Sequence, residues 1–344
     1  MLACLLLSGP LAPAQRKGAE LLLPPRYPPS TESSAVAPFT PSDAPIQIRI
    51  QPYYGWDRSL LISNGRVEAL VVPAVGRVMQ FRFTDRGSPI WENTTLRGRA
   101  PDPASAEWAN FGGDKTWPAP QADWDQVTPR AWPPPVAFDS MPVEASFRRD
   151  TLVLTSPVDP HFGIRTERVI SLAHEAPVMT IVTTYEKVTG QPLKVGVWII
   201  TQLEDPVGVF VPLAAKSRFP DGYSRQSGDT LPARLQVDRG LLSLVRHPSK
   251  SAKIGLDTDR LLWVGTTQML LIESPRQPGA EYPDAQCSAE IYTNPDPAAY
   301  VELEMLGPLR TLVPGDRLSQ TNTYTLLPRT SPDPATDARR VLAR

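Results

Sequence analysis

The chain has little cysteine: two in 344 residues. That excludes a scaffold held by disulfides. Histidine is as scarce, with three copies, so candidates for the commonest acid–base side chain are few. Glycine, at 21, is outnumbered by proline, at 40. An internal proline costs a helix about 3 kcal/mol, so long helices are excluded. No run of about twenty apolar residues is present, which argues against a membrane span. Charge of one sign is lacking too. The 35 basic and 36 acidic residues are well mixed and sum to −1, without a basic patch to suggest a nucleic-acid partner. What is present is a 41% hydrophobic content, enough for a sizeable core in one large all-β domain or two ordinary ones.

The flanks differ from the middle. Met1-Leu2-Ala3-Cys4-Leu5-Leu6-Leu7 runs into Ala12-Pro13-Ala14, an apolar segment followed by an Ala-x-Ala pattern. This predicts a signal peptide over residues 1–14 and a periplasmic or secreted protein, although the usual basic start of such a signal is missing. With a start upstream, Cys4 would instead be a lipid-anchoring site. Residues 15–44 are rich in Pro, Ser, Ala and Thr and read as an extended tether. Residues 329–344 form a C-terminal tail, its last part a short helix or a frayed end. Once Cys4 is removed Cys287 has no partner, and nothing near it in sequence resembles a base, so it reads as a core thiol.

Between the flanks the pattern is strand after strand. Residues 46–50 alternate with period two, and an Asn64-Gly65 turn leads into 66–73, then 76–83. Strand signals recur at 144–147, 151–156, 163–172, 178–187, 194–203, 241–245, 261–265, 269–273, 289–293, 300–306 and 316–327. Helix periods do not intervene and no internal repeat is visible. The pattern predicts one all-β domain over 45–328, a large two-sheet antiparallel sandwich of about fifteen strands.

Residues 108–124 stand out. They hold Trp108, Trp117 and Trp124, a Gly112-Gly113 turn, Asp114, Lys115, Pro118, Pro120 and Gln121. Aromatic faces beside a few polar groups suit a sugar, whose C–H faces pack on rings while its hydroxyls need donors and acceptors. The alternative is a rigid loop whose tryptophans plug the end of a sheet.

The order of these segments resembles the galactose mutarotase-like superfamily. Residues 64–79 are similar to its opening hairpin, and Pro314-Gly315-Asp316 with Thr321-Asn322-Thr323-Tyr324 to its closing strands. Four segments resemble an uncharacterised bacterial domain family within that superfamily. They are the Gly112-Gly113-Asp114-Lys115-Thr116-Trp117-Pro118-Ala119-Pro120-Gln121 block, Lys253-Ile254-Gly255, and the Glu290 and Tyr300–Pro308 segments. The resemblance implies a β-supersandwich with a carbohydrate-sized cleft over roughly residues 45–328. One fold hosts many functions, so it does not imply a reaction.

Within that resemblance, the strand position that carries a histidine acid in the sugar epimerases falls at Thr201 or Gln202, neither a useful acid. Glu290 lies in a segment resembling the one that carries the epimerase base. Glu302 and Glu304 alternate with Val301, Leu303 and Met305 and so share a strand face. That face is either solvated or the cleft wall. The candidate catalytic residues are therefore Glu290, Glu304 and His161. The candidate ligand-binding residues are Asn110, Asp114, Lys115, Trp117, Gln121, Trp124 and Glu302. No loop has EF-hand spacing, and neither a metal nor a cofactor is expected. The sequence favours an exported carbohydrate-binding protein. The alternatives are a sugar-active enzyme, either aldose epimerase-like or an oligosaccharide lyase or hydrolase, using a late-strand glutamate as base, and a non-catalytic interaction module.

Overall fold

A computed structural model describes residues 46–343 apart from 106, 140 and 229. The expected signal peptide, the tether and Cys4 lie outside the described residues.

Two antiparallel sheets form, as the strand pattern predicts. The first has eleven strands, in the order Gln47–Ile50, Leu60–Ser63, Val67–Val72, Arg77–Phe83, Asp114–Ala119, Leu193–Glu204, Tyr300–Leu306, Ala289–Thr293, Ala252–Leu256 and Ser224–Arg225, with Arg310–Leu312 beside Leu193–Glu204. The second has ten, in the order Ala233–Asp238, Leu241–Val245, Gly208–Pro212, Arg260–Val264, Gln268–Glu273, Arg317–Pro328, Val178–Lys187, Ile164–Leu172, Thr151–Thr155 and Glu144–Arg148. Their facing sides share one core, with Ile62, Val71 and Leu303 from the first sheet and Ile181, Leu270 and Leu326 from the second.

Strands of the second sheet show why the alternation was readable. In Ile164–Leu172 every second residue is buried, because one face meets the core and the other meets water. Three neighbouring strands of the first sheet break this rule. Asp114–Ala119 and Tyr300–Leu306 are buried throughout, and Leu193–Glu204 is buried from Val195 to Leu203. Their inner face meets the second sheet. Their outer face is covered by the irregular segment carrying Trp108 and by the short helices Trp124–Val127 and Val136–Asp139.

The Gly-Gly-Asp-Lys-Thr-Trp-Pro block is the main departure from expectation. It forms a central strand rather than a loop, with Lys115 paired to Ile200 and Trp117 to Trp198. Past Asp114 it is laddered on one side only, which lets Pro118 sit in a strand without breaking a second ladder. The two glycines that lead into it are required by crowding. Gly112 has φ +88°, and a Cβ there would lie 2.4 Å from the Trp91 carbonyl oxygen. Gly113 has φ +81°, and its Cβ would lie 2.9 Å from Met79 Sδ. The Gly113 N–H donates to Trp91 O at 2.9 Å and its carbonyl accepts from Gln202 N at 3.0 Å, so the turn is tied to both sides.

The last residues form the helix Pro334–Leu342, begun by the Asp333 side chain, which accepts from Ala335 N and Thr336 N. The helix packs Ala338, Val341 and Leu342 on Phe210, Leu262 and Leu271. None of the helices among the described residues is long and apolar enough to cross a membrane.

Candidate functional site

Antiparallel register places alternate residues of five adjacent strands in rows on the outer face of the first sheet. One row runs Lys115, Ile200, Glu304, Glu290, Gly255. The next runs Gln202, Glu302, Tyr292, Lys253, and the row on the other side holds Trp117, Trp198 and Leu306. Three glutamates and two lysines from four separate segments thus meet on one surface.

The two ends of this cluster differ. At one end Lys253 Nζ lies 2.6 Å from Glu290 and 3.0 Å from Glu304, over the Trp198 ring at 4.6 Å. Trp198 Nε1 also donates to Glu304 Oε2, at 2.7 Å. At the other end Lys115 Nζ stands 3.8 Å from Glu302 and over the rings of Trp117, at 4.9 Å, and Trp108, at 5.7 Å. It is sealed from solvent and makes no hydrogen bond, and the second oxygen of Glu304, Oε1, accepts none. Around this end stand the half-buried rings of Trp91, Trp108 and Tyr292. Trp91 packs on Tyr300 at 4.6 Å, and Asn110 Nδ2 donates to the Tyr300 hydroxyl at 3.3 Å.

Burial dominates the acid–base properties. It pushes the Glu302 carboxyl up to about 7, against the pull of Lys115. It likewise pushes Glu290 up to about 8, against Lys253. Lys115 is pushed down to about 8 by the same burial, which Glu302 offsets only in part. Burial also acts to lower Lys253, but Glu304 and Glu290 outweigh it and hold the ammonium well above its ordinary value. Lys253 therefore stays an ammonium between its two carboxyl partners, while Glu290, Glu302 and Lys115 are all displaced toward neutrality.

One further carboxylate orients the aromatic wall. Asp139, buried on its short helix, accepts from Arg77 at 2.8 Å, from Trp117 Nε1 at 2.9 Å and from Trp108 Nε1 at 3.1 Å.

The structure brings Glu290, Glu302, Glu304 and Lys115 together, with Asn110 at the rim. It places the other sequence candidates elsewhere. Asp114 points inward, because neighbouring residues of a strand face opposite sides. Its carboxylate pairs with Arg168 of the second sheet and accepts from Thr201 Oγ1 at 2.7 Å and Tyr324 at 2.6 Å. Trp117 is only 4% exposed, and four other tryptophans meet it at centroid distances of 5.4 to 5.9 Å, so its faces are used by packing. Trp124 is buried behind it, its Nε1 donating to Pro118 O. The rings with free surface are Trp91, Trp108 and Tyr292 instead, together with Trp132, which is 43% exposed and packs edge-on against Trp108. Gln121 is exposed in the turn after the strand. His161 is exposed in a turn, where its backbone N–H donates to Asp159 at 2.9 Å.

Sequence reasoning gave no role to Trp198, Lys253, Tyr300, Trp91, Arg77 or Asp139. Strand parity was the available signal for three: Trp198 is on the Gln202 face, Tyr300 on the Glu302 face, and Lys253 alternates with Ile254. Nothing in the sequence points to Asp139. Of the two positions matched to the epimerase acid, Gln202 faces the site and Thr201 faces Asp114. Cys287 is a buried free thiol, pushed up to about 12 by burial. Among the described residues, no group of three or more His, Cys, Asp or Glu is placed to hold a metal ion.

The two-sheet architecture has solved counterparts. A galactose mutarotase-like protein from Lactobacillus casei aligns over 78% of this chain and 100% of its own, with TM-score 0.54 and 9% identity. A candidate aldose 1-epimerase from Escherichia coli K12 aligns over 77% of this chain and 97% of its own, with TM-score 0.50 and 12% identity. A candidate mutarotase from Salmonella typhimurium aligns over 79% and 90%, with TM-score 0.51 and 9% identity. At such identities the likeness shows the fold, which is galactose mutarotase-like, and not the activity. No curated protein matches the sequence. Residues 58–327 match the DUF4380 family, a domain of unknown function, and the chain belongs to that family.

Proposed function

We propose that this protein binds a carbohydrate over the Lys115–Glu302 end of the outer face. The observation that carries the reading is the pair of sealed, unsatisfied polar atoms, Lys115 Nζ and Glu304 Oε1, beside half-buried aromatic rings. A buried polar group left without a partner costs about 1–3 kcal/mol, and a ligand hydroxyl, which both donates and accepts, would relieve both atoms on displacing the rings that now seal them. Trp91, Trp108 and Tyr292 offer apolar ring surface for the sugar's C–H face. The mutarotase-like fold supports a sugar-related role by distant similarity. Export belongs to the same proposal, on the N-terminal sequence pattern alone, and cell fractionation checks it.

Thermal-shift and calorimetric titration with neutral and acidic sugars tests the binding. Ligand held by the folded state raises the melting temperature through RT ln(1 + [L]/Kd). A saturating shift that is lost in both Lys115→Met and Glu302→Gln is expected. Equal affinity in wild type and both variants would remove this site assignment.

One observation favours a second reading, acid–base chemistry on the bound sugar. Lys115 and Glu302 stand 3.8 Å apart and are shifted to about 8 and about 7, near the range where general acids and bases work best. Any sugar interconversion measured by NMR should then follow a bell-shaped pH profile and fall about a hundredfold or more in Glu302→Gln. A bound sugar that never turns over would leave the protein a binding protein only.

A further inference from the structure

Beyond Trp108 lies a hollow, about 200 Å³ in volume, which the carboxylate–lysine cluster does not line. Leu96, Phe111, Pro133 and Val136 form apolar walls, and Arg99 and Asp102 contribute charges of both signs. Trp108 and Asp139 also belong to its wall. The same two side chains border the Lys115 end. The Trp108 ring centre lies 5.7 Å from Lys115 Nζ, and its Nε1 donates to Asp139 Oδ2 at 3.1 Å. The Trp108 indole therefore stands between the hollow and Lys115.

Size and lining say what the hollow can take. Complete small-molecule sites begin at roughly 300 Å³. A space of about 200 Å³ suits one ring of a larger ligand rather than a ligand of its own. With Asp139 engaged by Arg77, the charges left on the lining are Arg99, Asp102 and Glu107, one net negative, so the hollow does not attract an anion. Apolar walls with scattered donors and acceptors match an amphiphilic ring. Trp108 has free surface and lies between the hollow and Lys115. A ligand crossing it would pack on the indole and reach both spaces.

We propose that this hollow is a second sugar subsite, and that the ligand is an oligosaccharide lying across Trp108 with one unit at Lys115 and Glu302 and the next in the hollow. The proposal rests on the carbohydrate reading above and adds the length of the ligand to it. It assigns to Trp108 a stacking role between subsites, and to Leu96, Phe111, Pro133 and Val136 the recognition of the second unit.

The test is calorimetry on the full chain with glucose, galactose and galacturonate, each against its linked di- and trisaccharides. Wild type is compared with Ala100→Trp. Ala100 lines the hollow and is exposed, so the added indole fills that space without disturbing the carboxylate row. Affinity should rise at least about tenfold from the monosaccharide to the disaccharide in wild type. In Ala100→Trp that gain should vanish while the monosaccharide Kd stays within about twofold. A Kd independent of chain length, or a gain that survives in Ala100→Trp, would overturn the subsite while leaving the carbohydrate reading standing. Binding of none of these sugars, short or long, would overturn both. Trp108→Phe gives a second check read on the ratio of the two affinities alone: loss of the disaccharide gain relative to that variant's own monosaccharide Kd supports the stacking role, and full retention of the gain counts against it.

Discussion

Asp114 and Lys115 are adjacent in one strand, both are buried, and they do opposite work. Asp114 faces inward, where Arg168, Thr201 and Tyr324 satisfy its carboxylate. Lys115 faces outward, where its ammonium has an ion pair at 3.8 Å, two ring faces and no hydrogen bond. The inner face is a closed polar network that pins the two sheets together. The outer face is an incomplete one. A fully partnered buried charge stabilises geometry, whereas an under-partnered one stores unfavourable free energy that a ligand can relieve. The same contrast runs along the outer face itself, from the Lys253 ammonium, held by Glu290 and Glu304, to the Lys115 ammonium, which has one longer ion pair and no hydrogen bond.

The comparison can be broken most forcefully from the inside. Asp114→Ala leaves Arg168 buried without its partner, and urea denaturation should show a loss of about 3–5 kcal/mol. A loss below about 1 kcal/mol would mean the inner network holds nothing together. Lys115→Met on the neighbouring residue should behave differently. It removes an unsatisfied charge and keeps the apolar stem, so stability should change by less than about 1 kcal/mol while sugar affinity falls at least about tenfold. A large unfolding penalty there would make Lys115 a structural residue like its neighbour.

A smaller effect sharpens the comparison through pH. Glu302 and Glu290 titrate higher in the folded protein, about 7 and about 8 against an ordinary 4.5. The folded state therefore holds protons that the unfolded chain releases. Their contribution is complete below the unfolded value and is lost as pH rises through the folded ones. Lys115, lowered from 10.5 to about 8, acts in the other direction, regaining stability as pH rises from about 8 to 10.5. Melting temperature should thus fall by several degrees between pH 5 and 8, then recover in part as pH rises toward 10.5, and Glu302→Gln should flatten the fall. A melting temperature that rises over that interval would contradict the burial of these carboxyls. The smallest effect is expected at Gln121, exposed beyond the strand: Gln121→Ala should leave stability within about 0.5 kcal/mol and sugar affinity unchanged.

How much was legible in the sequence follows from how many faces each strand buries. Ile164–Leu172 and Arg317–Pro328 have one wet face, and their period-two pattern announced them. Asp114–Ala119 is covered on both sides and carries Pro118, so it lacks alternation and has a strand breaker, and it was expected to be a loop. The site shows the same division. Glu302 and Glu304 were expected on one face from their spacing, and Lys115 was flagged as a ligand group. Trp117 and Trp124 were expected to present their rings and are packed among other tryptophans instead. Composition says that aromatics are concentrated, but not which of their faces another ring will cover.

The sequence by itself determined the all-β class, the two-sheet sandwich and the presence of late-strand glutamates on a shared face. These follow from local alternation and turn chemistry, which neighbouring residues encode. Only the tertiary structure decided that Asp114 is internal and Lys115 external, that Lys253 neutralises Glu290 and Glu304 while Glu302 is left to Lys115, and that Asp139 holds Trp108 and Trp117. These depend on register between strands far apart in the chain. A shift of one residue in that register would exchange the inner and outer faces, and local sequence does not specify it.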